Sequence, residues 1–416
     1  MGRSDETLPL GRRDFLRAAA GLGATALVGA KGAEATAPSS PPTVKRYHRL
    51  GRTGFEISDI SFGSGGCKTA DFVRTCYDRG INYFDTAEMY RTKGFNRGGY
   101  VESLIGEALH DKRDKVYITS KYMAEAEDDR QKIMSKLDES LRRLRTDYVD
   151  VYLNHAVNSM ERLTNPEWFE FVELAKKQGK IRFSGMSGHG GRLQECLEHA
   201  LDHDLVDVIL CSHNFGSDPA FYEKFTKQFD LLANQKGLPR LLAKAHQKDV
   251  GVVVMKTLMG AKLNDLAAYR YDGATLPQAA FRWVFSDPNV DALVISIGNV
   301  KRLDEYLAVS GQQGLRRKDA ALLRQYVAAR GAQYCRNACD ACTGACDQGL
   351  SIPDVLRQRM YALDYGDTDM ARDGYAKLVG SASPCVGCKT LSCLNACPHD
   401  LDIPSLTLET ERILRA

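Results

Sequence analysis

The chain has 416 residues, 44% of them hydrophobic, long enough to bury one large core and a smaller second one. Its 56 basic and 53 acidic residues leave a formal charge of +3, without the block of one sign that nucleic acid or an anionic membrane surface calls for. No apolar run approaches the ~20 residues a bilayer requires, which argues against a stable membrane span. Of the twelve cysteines, Cys67, Cys76, Cys196 and Cys211 are scattered and suit buried packing, whereas the other eight fall after residue 334.

At the N-terminus, Gly11-Arg12-Arg13-Asp14-Phe15-Leu16-Arg17 precedes an Ala/Gly-rich stretch, Ala18 to Ala30, and Ala-x-Ala cleavage candidates end at Ala35 or Ala37. Paired arginines, a short weakly hydrophobic region and a small-residue site together resemble a twin-arginine export signal. The resemblance implies passage of the folded protein through the twin-arginine machinery to the periplasm or beyond. A basic amphipathic helix or a tail is the bland alternative. Residues 1–37 are therefore set apart from the fold, and 38–46 read as a linker.

From Tyr47 onward, short apolar runs alternate with longer amphipathic ones, the pattern of a parallel sheet wrapped by helices. Strands are predicted at Ile57 to Gly63, Tyr83 to Asp85, Val116 to Ser120, Val149 to Leu153, Ile181 to Ser187, Val206 to Cys211, Gly251 to Lys256 and Ala292 to Ser296. Ile133, Leu137, Leu141 and Leu144 recur at helical spacing, and Asn165-Pro166 reads as an N-cap followed by proline at the first helical position. Eight strands over roughly 260 residues predict an α/β fold, a (β/α)8 TIM barrel spanning 47–315. Gly63-Ser64-Gly65-Gly66 lacks dinucleotide-loop spacing and reads as a tight turn leaving the first strand.

Chemistry in such barrels sits at the C-terminal ends of the strands. That rule selects Asp85 and Tyr90 in Phe84-Asp85-Thr86-Ala87-Glu88-Met89-Tyr90, Lys121 at the end of Ile118-Thr119-Ser120-Lys121, and His155 at the end of Tyr152-Leu153-Asn154-His155. Singly these are a helix cap, a rim aromatic, a solvated charge and a satisfied polar group. Together at three consecutive strand ends they point to one site. With Tyr47-His48-Arg49-Leu50-Gly51-Arg52-Thr53-Gly54 and Leu144-Arg145-Thr146-Asp147-Tyr148-Val149-Asp150, the motifs resemble the aldo-keto reductases across the whole barrel.

Carbonyl reduction needs a hydride on carbon and a proton on oxygen, and a phenol with an ordinary pKa of about 10 donates poorly near neutrality. The resemblance implies Tyr90 as acid, Lys121 as the ammonium that lowers its pKa, Asp85 as the partner of Lys121, and His155 as the group polarising the carbonyl. It also implies a nicotinamide cofactor, NADP(H) or NAD(H). Ser187 matches the first member of the family's Ser-Asn pair after the fifth strand, while Gly188 departs from the second. Asn214 fits the sixth strand, and Met255 and Lys256 stand in the segment that usually carries a stacking aromatic. Phosphate contacts fall to Gly298, Asn299, Arg302 and Glu305, although Lys301 and Arg302 also suit a solvated face.

Beyond the barrel, Cys335-x3-Cys339-x2-Cys342-x3-Cys346 and Cys385-x2-Cys388-x4-Cys393-x3-Cys397-Pro398 are separated by a stretch of helical character. Cys342-x3-Cys346-x3-Leu350-x-Ile352-Pro353 recurs as Cys393-x3-Cys397-x3-Leu401-x-Ile403-Pro404, an internal repeat. These spacings resemble two-cluster ferredoxins of the helical kind, implying a small, mainly α-helical ferredoxin-like domain over 330–416 with one or two [4Fe-4S] clusters, two favoured. The usual crossover would put Cys335, Cys339, Cys342 and Cys397 on one cluster and Cys385, Cys388, Cys393 and Cys346 on the other. Structural zinc and disulfides are the alternatives.

The combined expectation is an exported oxidoreductase that reduces or forms a small aldehyde or ketone, coupled to electron transfer with a redox partner protein. The competing expectation is an iron-sulfur electron-transfer protein whose barrel is a docking platform.

Overall fold

The predicted apolar runs pair in parallel. They are β3 (Ile60–Gly63), β4 (Tyr83–Asp85), β5 (Tyr117–Tyr122), β6 (Val149–Asn154), β7 (Ile181–Gly188), β8 (Val208–Ser212), β9 (Gly251–Met255) and β12 (Ala292–Ser296), and β12 closes onto β3 to complete a barrel. Before them, β1 (Tyr47–Arg49) and β2 (Glu56–Ser58) form an antiparallel hairpin; β10 (Arg270–Tyr271) and β11 (Ala274–Thr275) form a second small pair. The computed structural model describes residues 40–92, 98–190, 192–216, 237–259, 266–330, 334–336, 339, 341–364, 368–379 and 384–415. The segment 1–37, read from sequence as an export signal, lies outside the described residues, as do 93–97, 217–236 and 260–265 between barrel elements.

Helices α1 (Ala70–Asp78), α2 (Val101–Leu109), α3 (Arg130–Leu144), α4 (Met160–Leu163), α5 (Pro166–Lys177), α6 (Leu193–Asp202), α7 (Leu238–Gln247), α8 (Leu276–Val284), α9 (Val300–Leu307) and α10 (Arg317–Arg330) belong to the barrel layer. The anticipated stripe of α3, Ile133, Leu137, Leu141 and Leu144, is buried. Each such side chain contributes about 1.5–3 kcal/mol by leaving water. Asp129 caps its start by accepting from Lys132 N, and Arg145 ends it in the left-handed region at φ 53°. Asn165 caps α5 by accepting from Glu167 N, with Pro166 at the first position.

One predicted strand, Ile57 to Gly63, is two. Asp59 breaks it: buried at 1% exposure, its carboxylate accepts from Ser310 Oγ and from the backbone N–H groups of Ile60 and Gly311. The chain thereby turns from the hairpin into the barrel wall. The hairpin closes the floor of the barrel, placing Leu50, Phe55 and Ile57 against Tyr83, Val151, Leu153, Val208 and Leu210. Phe55 stacks on Tyr117 with ring centroids 4.4 Å apart.

A C-terminal helical region follows, with α11 (Ile352–Leu363), α12 (Thr368–Val379) and α13 (Ile403–Arg415). The internal repeat is visible in its backbone. Ala345 N bonds Cys342 O and Ala396 N bonds Cys393 O, both at 3.1 Å, and Gly349 N to Cys346 O corresponds to Asp400 N to Cys397 O. Gly349 and Asp400 both have positive φ, and each turn leads into an Ile-Pro helix start, of α11 and α13. Leu350 lies in the adjoining cluster with Val355 and Tyr375, while Ile352, Leu401 and Ile403 bury together with Cys342.

Helix α10 is tied to the barrel by Arg282 of α8. Its guanidinium donates to both oxygens of Asp319 at 2.7 Å, and the two side chains are 1% and 0% exposed. An Arg282→Met variant leaves a buried carboxylate without its counter-charge and is expected to lose about 3–5 kcal/mol of stability. Adding Asp319→Leu to it should restore most of that loss, both read as shifts of the urea midpoint.

Candidate active site

Side chains along a strand alternate faces, so the residues sharing the barrel interior follow from the floor upward. Above Tyr83 stands Asp85; above Tyr117 stand Thr119 and Lys121; above Val151 and Leu153 stands His155; above Phe183 and Gly185 stand Ser187 and His189. The apolar floor and the polar rim are thus one period-two pattern, and the transition from one to the other builds the site.

Lys121 is buried, and its Nζ lies 2.7 Å from Asp85 Oδ2 and donates to the Thr86 carbonyl at 2.5 Å. The same ammonium stands 5.4 Å from the centre of the Tyr90 ring. The His155 ring meets Tyr90 edge-on, with centroids 5.8 Å apart and planes at 75°. The four side chains named from sequence therefore converge. Burial, then the Lys121 charge, and then Arg162 and Lys256 push His155 well below the ordinary histidine range, so it is a neutral imidazole at physiological pH.

Tyr90 differs from expectation in one respect. Burial and the Asp85 carboxylate, with a smaller contribution from Tyr361, push its phenol well above 10. Lys121 is engaged by Asp85 and Thr86 and does not reverse this. Burial lowers Lys121 while Asp85 raises it, and burial raises Asp85 while Lys121 lowers it.

Supporting residues fix this geometry. Arg162 donates to the carbonyls of His155 at 2.8 Å, Ala156 at 2.9 Å and Ala124 at 2.7 Å, holding the turn in which Ala156 takes φ 53°. Glu102, wholly buried, accepts from Ser120 Oγ and Arg143 Nε and so anchors β5. Neither was legible in the sequence: Glu102 acts across separate elements, and Arg162 acts on backbone carbonyls, which no side-chain pattern marks.

The remaining sequence-predicted contacts lie on neighbouring strand ends. Ser187 is buried and its Oγ accepts from Ala156 N at 3.1 Å. Asn214 braces its own turn, Oδ1 accepting from Gly216 N and Nδ2 donating to the Lys256 carbonyl. Met255 ends β9 half-buried against the barrel interior. Gly298 is exposed beside Arg302, whose backbone N–H is capped by Asn299 at the start of α9; the Glu305 carbonyl accepts from Gln278. These four follow the end of β12, in the turn and helix α9.

Lys256 follows β9 with φ 57°, a left-handed backbone that turns its side chain toward the mouth. Its Nζ donates to Tyr361 Oη at 3.3 Å, and Tyr361 Oη lies 3.2 Å from His189 Nε2. Tyr361 comes from α11, so the C-terminal region reaches the barrel mouth. Sequence reasoning passed over His189 and Tyr361; the period-two continuation of β7 was the available signal for the first.

Burial, then the neighbouring Arg357, brings Lys256 down to about 7 from 10.5. The unfolded chain therefore holds a proton at Lys256 between about pH 7 and 10.5 that the folded chain releases, so this residue's contribution to stability rises with pH across that window. A Lys256→Met variant removes the dependence. Its Tm relative to the parent is expected to be more favourable at pH 7 than at pH 10, measured by thermal melts in matched ionic strength.

All twelve cysteines carry thiols rather than disulfides. Among the described residues, no three His, Cys, Asp or Glu side chains are already arranged as metal ligands. Cys335, Cys342, Cys346, Cys393 and Cys397 pack around one small apolar cluster, and the thiols differ in which neighbours act on them. Burial raises Cys335 to about 12, with Cys339, Cys342 and Cys397 adding to the rise. Cys393 is raised by burial and then by Cys346, Cys385 and Cys388. Cys342, also at about 12 chiefly through burial, has Cys339 and Cys397 as its main thiol neighbours and Cys393 as a weaker one.

A profile of the Aldo/keto reductase family matches residues 67–265. The chain is 39% identical over 227 residues to a methylglyoxal reductase of Escherichia coli (strain K12), covering 53% of this chain and 72% of that protein. It is 23% identical over 297 residues to an L-galactose dehydrogenase of Arabidopsis thaliana, covering 62% of this chain and 86% of that protein. An aldo/keto reductase from Klebsiella pneumoniae, solved in complex with NADP and acetate, shares the fold with a TM-score of 0.52 at 23% identity, over 68% of this chain and 96% of its own. A holo aldo-keto reductase from Bacillus halodurans gives 0.51 at 19%, over 67% and 95%. With the closed eight-stranded barrel, the matched profile and that 39% identity, the chain belongs to the aldo/keto reductase family.

Proposed function

We propose that the protein is an exported reductase of small aldehydes or ketones that takes hydride from NADPH or NADH and carries [4Fe-4S] clusters in its C-terminal region. The observation that carries the catalytic part is the buried Asp85–Lys121 pair at 2.7 Å, beside Tyr90 and the neutral His155.

The barrel rim fits a polar cofactor. Ser64 Oγ, Thr86 Oγ1, His155 Nδ1, His189 Nδ1, Ser212 Oγ and Thr257 Oγ1 are buried at strand ends with no hydrogen-bond partner among the described residues. Such groups are costly unless something satisfies them. Ser187 and Asn214 would hold a carboxamide, Met255 would cover a ring face, and Gly298, Asn299 and Arg302 would hold phosphate at the start of α9. Lys301 and Arg302 favour the 2′-phosphorylated nucleotide, as does the NADP in the Klebsiella relative. A bound nicotinamide supplies the hydride. His155, neutral, donates to the carbonyl oxygen; Tyr90 Oη delivers the proton to it, and the Lys121 ammonium, held by Asp85, stabilises the tyrosinate that remains. The methylglyoxal reductase relative supports a small, electrophilic carbonyl as substrate.

The two thiol sets fit metal clusters by donor chemistry: four thiols apiece, gathered by a repeated turn, with no disulfide to close them. Clusters there would carry electrons between the barrel and a redox partner protein. The twin-arginine-like segment supports export after folding, which would let a cofactor-loaded protein cross the membrane. A second reading, a cluster protein with the barrel as docking platform, draws on Tyr361 lying at the strand ends and on Gly188 in place of the family's asparagine.

The deciding experiment follows NADPH and NADH consumption with methylglyoxal and propanal by anaerobically purified protein, with iron and acid-labile sulfide assayed in parallel. Carbonyl-dependent consumption supports the reductase. Iron and sulfide without consumption favour the platform. Cell fractionation of the parent and an Arg12→Lys/Arg13→Lys variant tests export, the parent being expected outside the cytoplasm and the variant retained.

A further inference from the structure

Helix α11 presents Asp354, Arg357 and Tyr361 along one stripe, at i, i+3 and i+7. Each meets something outside its own helix. Asp354 Oδ2 accepts from Asn158 Nδ2 at 2.8 Å, which fixes the start of the helix to the loop after β6. Arg357, 4% exposed, shares a small cleft with Cys335 and acts electrostatically on Lys256 and His189. Tyr361 stands edge-on to His189, ring centroids 6.2 Å apart, with Lys256 Nζ 4.8 Å from its own ring centre. It is also near enough to Tyr90 to raise that phenol.

We propose that Tyr361 is a specificity-determining residue: held between Lys256 and His189, it forms the wall of the substrate pocket opposite Tyr90 and limits the barrel mouth to small carbonyl compounds. The inference rests on the reductase reading above. It makes the C-terminal helix a structural part of the substrate site, whatever the thiols bind. Two independent anchors keep that wall in place, the Asn158–Asp354 hydrogen bond at one end of α11 and the Lys256–Tyr361–His189 chain at the other. A helix anchored at both ends holds this aromatic in place, because moving it breaks part-buried hydrogen bonds.

The test uses the full chain, purified anaerobically, as the parent and as Tyr361→Ala and Asp354→Ala, with circular dichroism as the check on folding. kcat/KM is measured for propanal and for 4-tert-butylbenzaldehyde. Tyr361→Ala is expected to raise the ratio of bulky to small substrate at least ~10-fold, chiefly through KM, about the discrimination a well-fitted apolar pocket provides. Asp354→Ala is expected to shift it in the same direction by less. An unchanged ratio in folded Tyr361→Ala overturns the proposal; if that variant does not fold, an unchanged ratio in Asp354→Ala does so. Carbethoxylation of His189 by diethyl pyrocarbonate, followed by mass spectrometry, is independent of turnover. Should the parent reduce no carbonyl, the reductase reading fails, and the covering role is then decided by whether His189 reacts faster in the variants or at the parent's rate.

Discussion

Tyr90→Phe is expected to lower kcat for carbonyl reduction by about 10²- to 10⁴-fold, the range that loss of a positioned general acid produces. Burial and Asp85 push the phenol well above 10, so the donor form is populated at neutral pH. Its difficulty lies in the tyrosinate left behind, which must be stabilised by Lys121 at 5.4 Å from the ring centre. Two consequences separate this role from a structural one. Tyr90→Phe keeps the ring against His155 and should change stability by no more than about 1 kcal/mol, the net worth of one hydrogen bond. Lys121→Met should abolish activity as well, but it also leaves the Asp85 carboxylate buried without a counter-charge and should cost about 3–5 kcal/mol in a urea titration. If Tyr90→Phe retained parental kcat, the phenol would not be the acid.

Much of this arrangement was legible in the sequence because it depends on periodicity. The barrel strands alternate faces, so Asp85, Lys121 and His155 had to share the interior with Tyr83, Tyr117 and Leu153 once the strands were recognised. Positions governed by long-range packing were not legible. Asp59 breaks an apparently continuous strand because Ser310 and Gly311, 251 and 252 residues further along the chain, bind its carboxylate. Lys256 reaches the mouth only because its backbone takes a left-handed turn, and Tyr361 only because α11 lies across the strand ends. The lowering of Tyr90 by Lys121 was expected from the family resemblance, whereas the ammonium is directed to Asp85 and Thr86. In the C-terminal region, the sequence repeat is matched by a repeated backbone turn, since equivalent sequences face equivalent local requirements.

The pairing of the eight late cysteines yields the second large effect, and it can be read from iron content. If clusters followed chain order, Cys342→Ser and Cys346→Ser would empty the same site. The electrostatic neighbours of two thiols agree with a crossover instead: Cys335 is influenced by Cys339, Cys342 and Cys397, and Cys393 by Cys346, Cys385 and Cys388. On the cluster reading, Cys342→Ser and Cys397→Ser should each remove about half of the iron and acid-labile sulfide, and the same half by electron paramagnetic resonance. Cys346→Ser should remove the other half, together with Cys393→Ser. The physical cause is the Cys342-to-Leu350 and Cys393-to-Leu401 repeat: each turn leads into an Ile-Pro helix start, and Ile352, Leu401 and Ile403 pack beside Cys342. Cys346 and Cys397, the last cysteine of each group, both border that shared cluster. Loss of the same half from Cys342→Ser and Cys346→Ser would refute the crossover while keeping the clusters. Metal without labile sulfide, or protein without metal, would refute the clusters themselves.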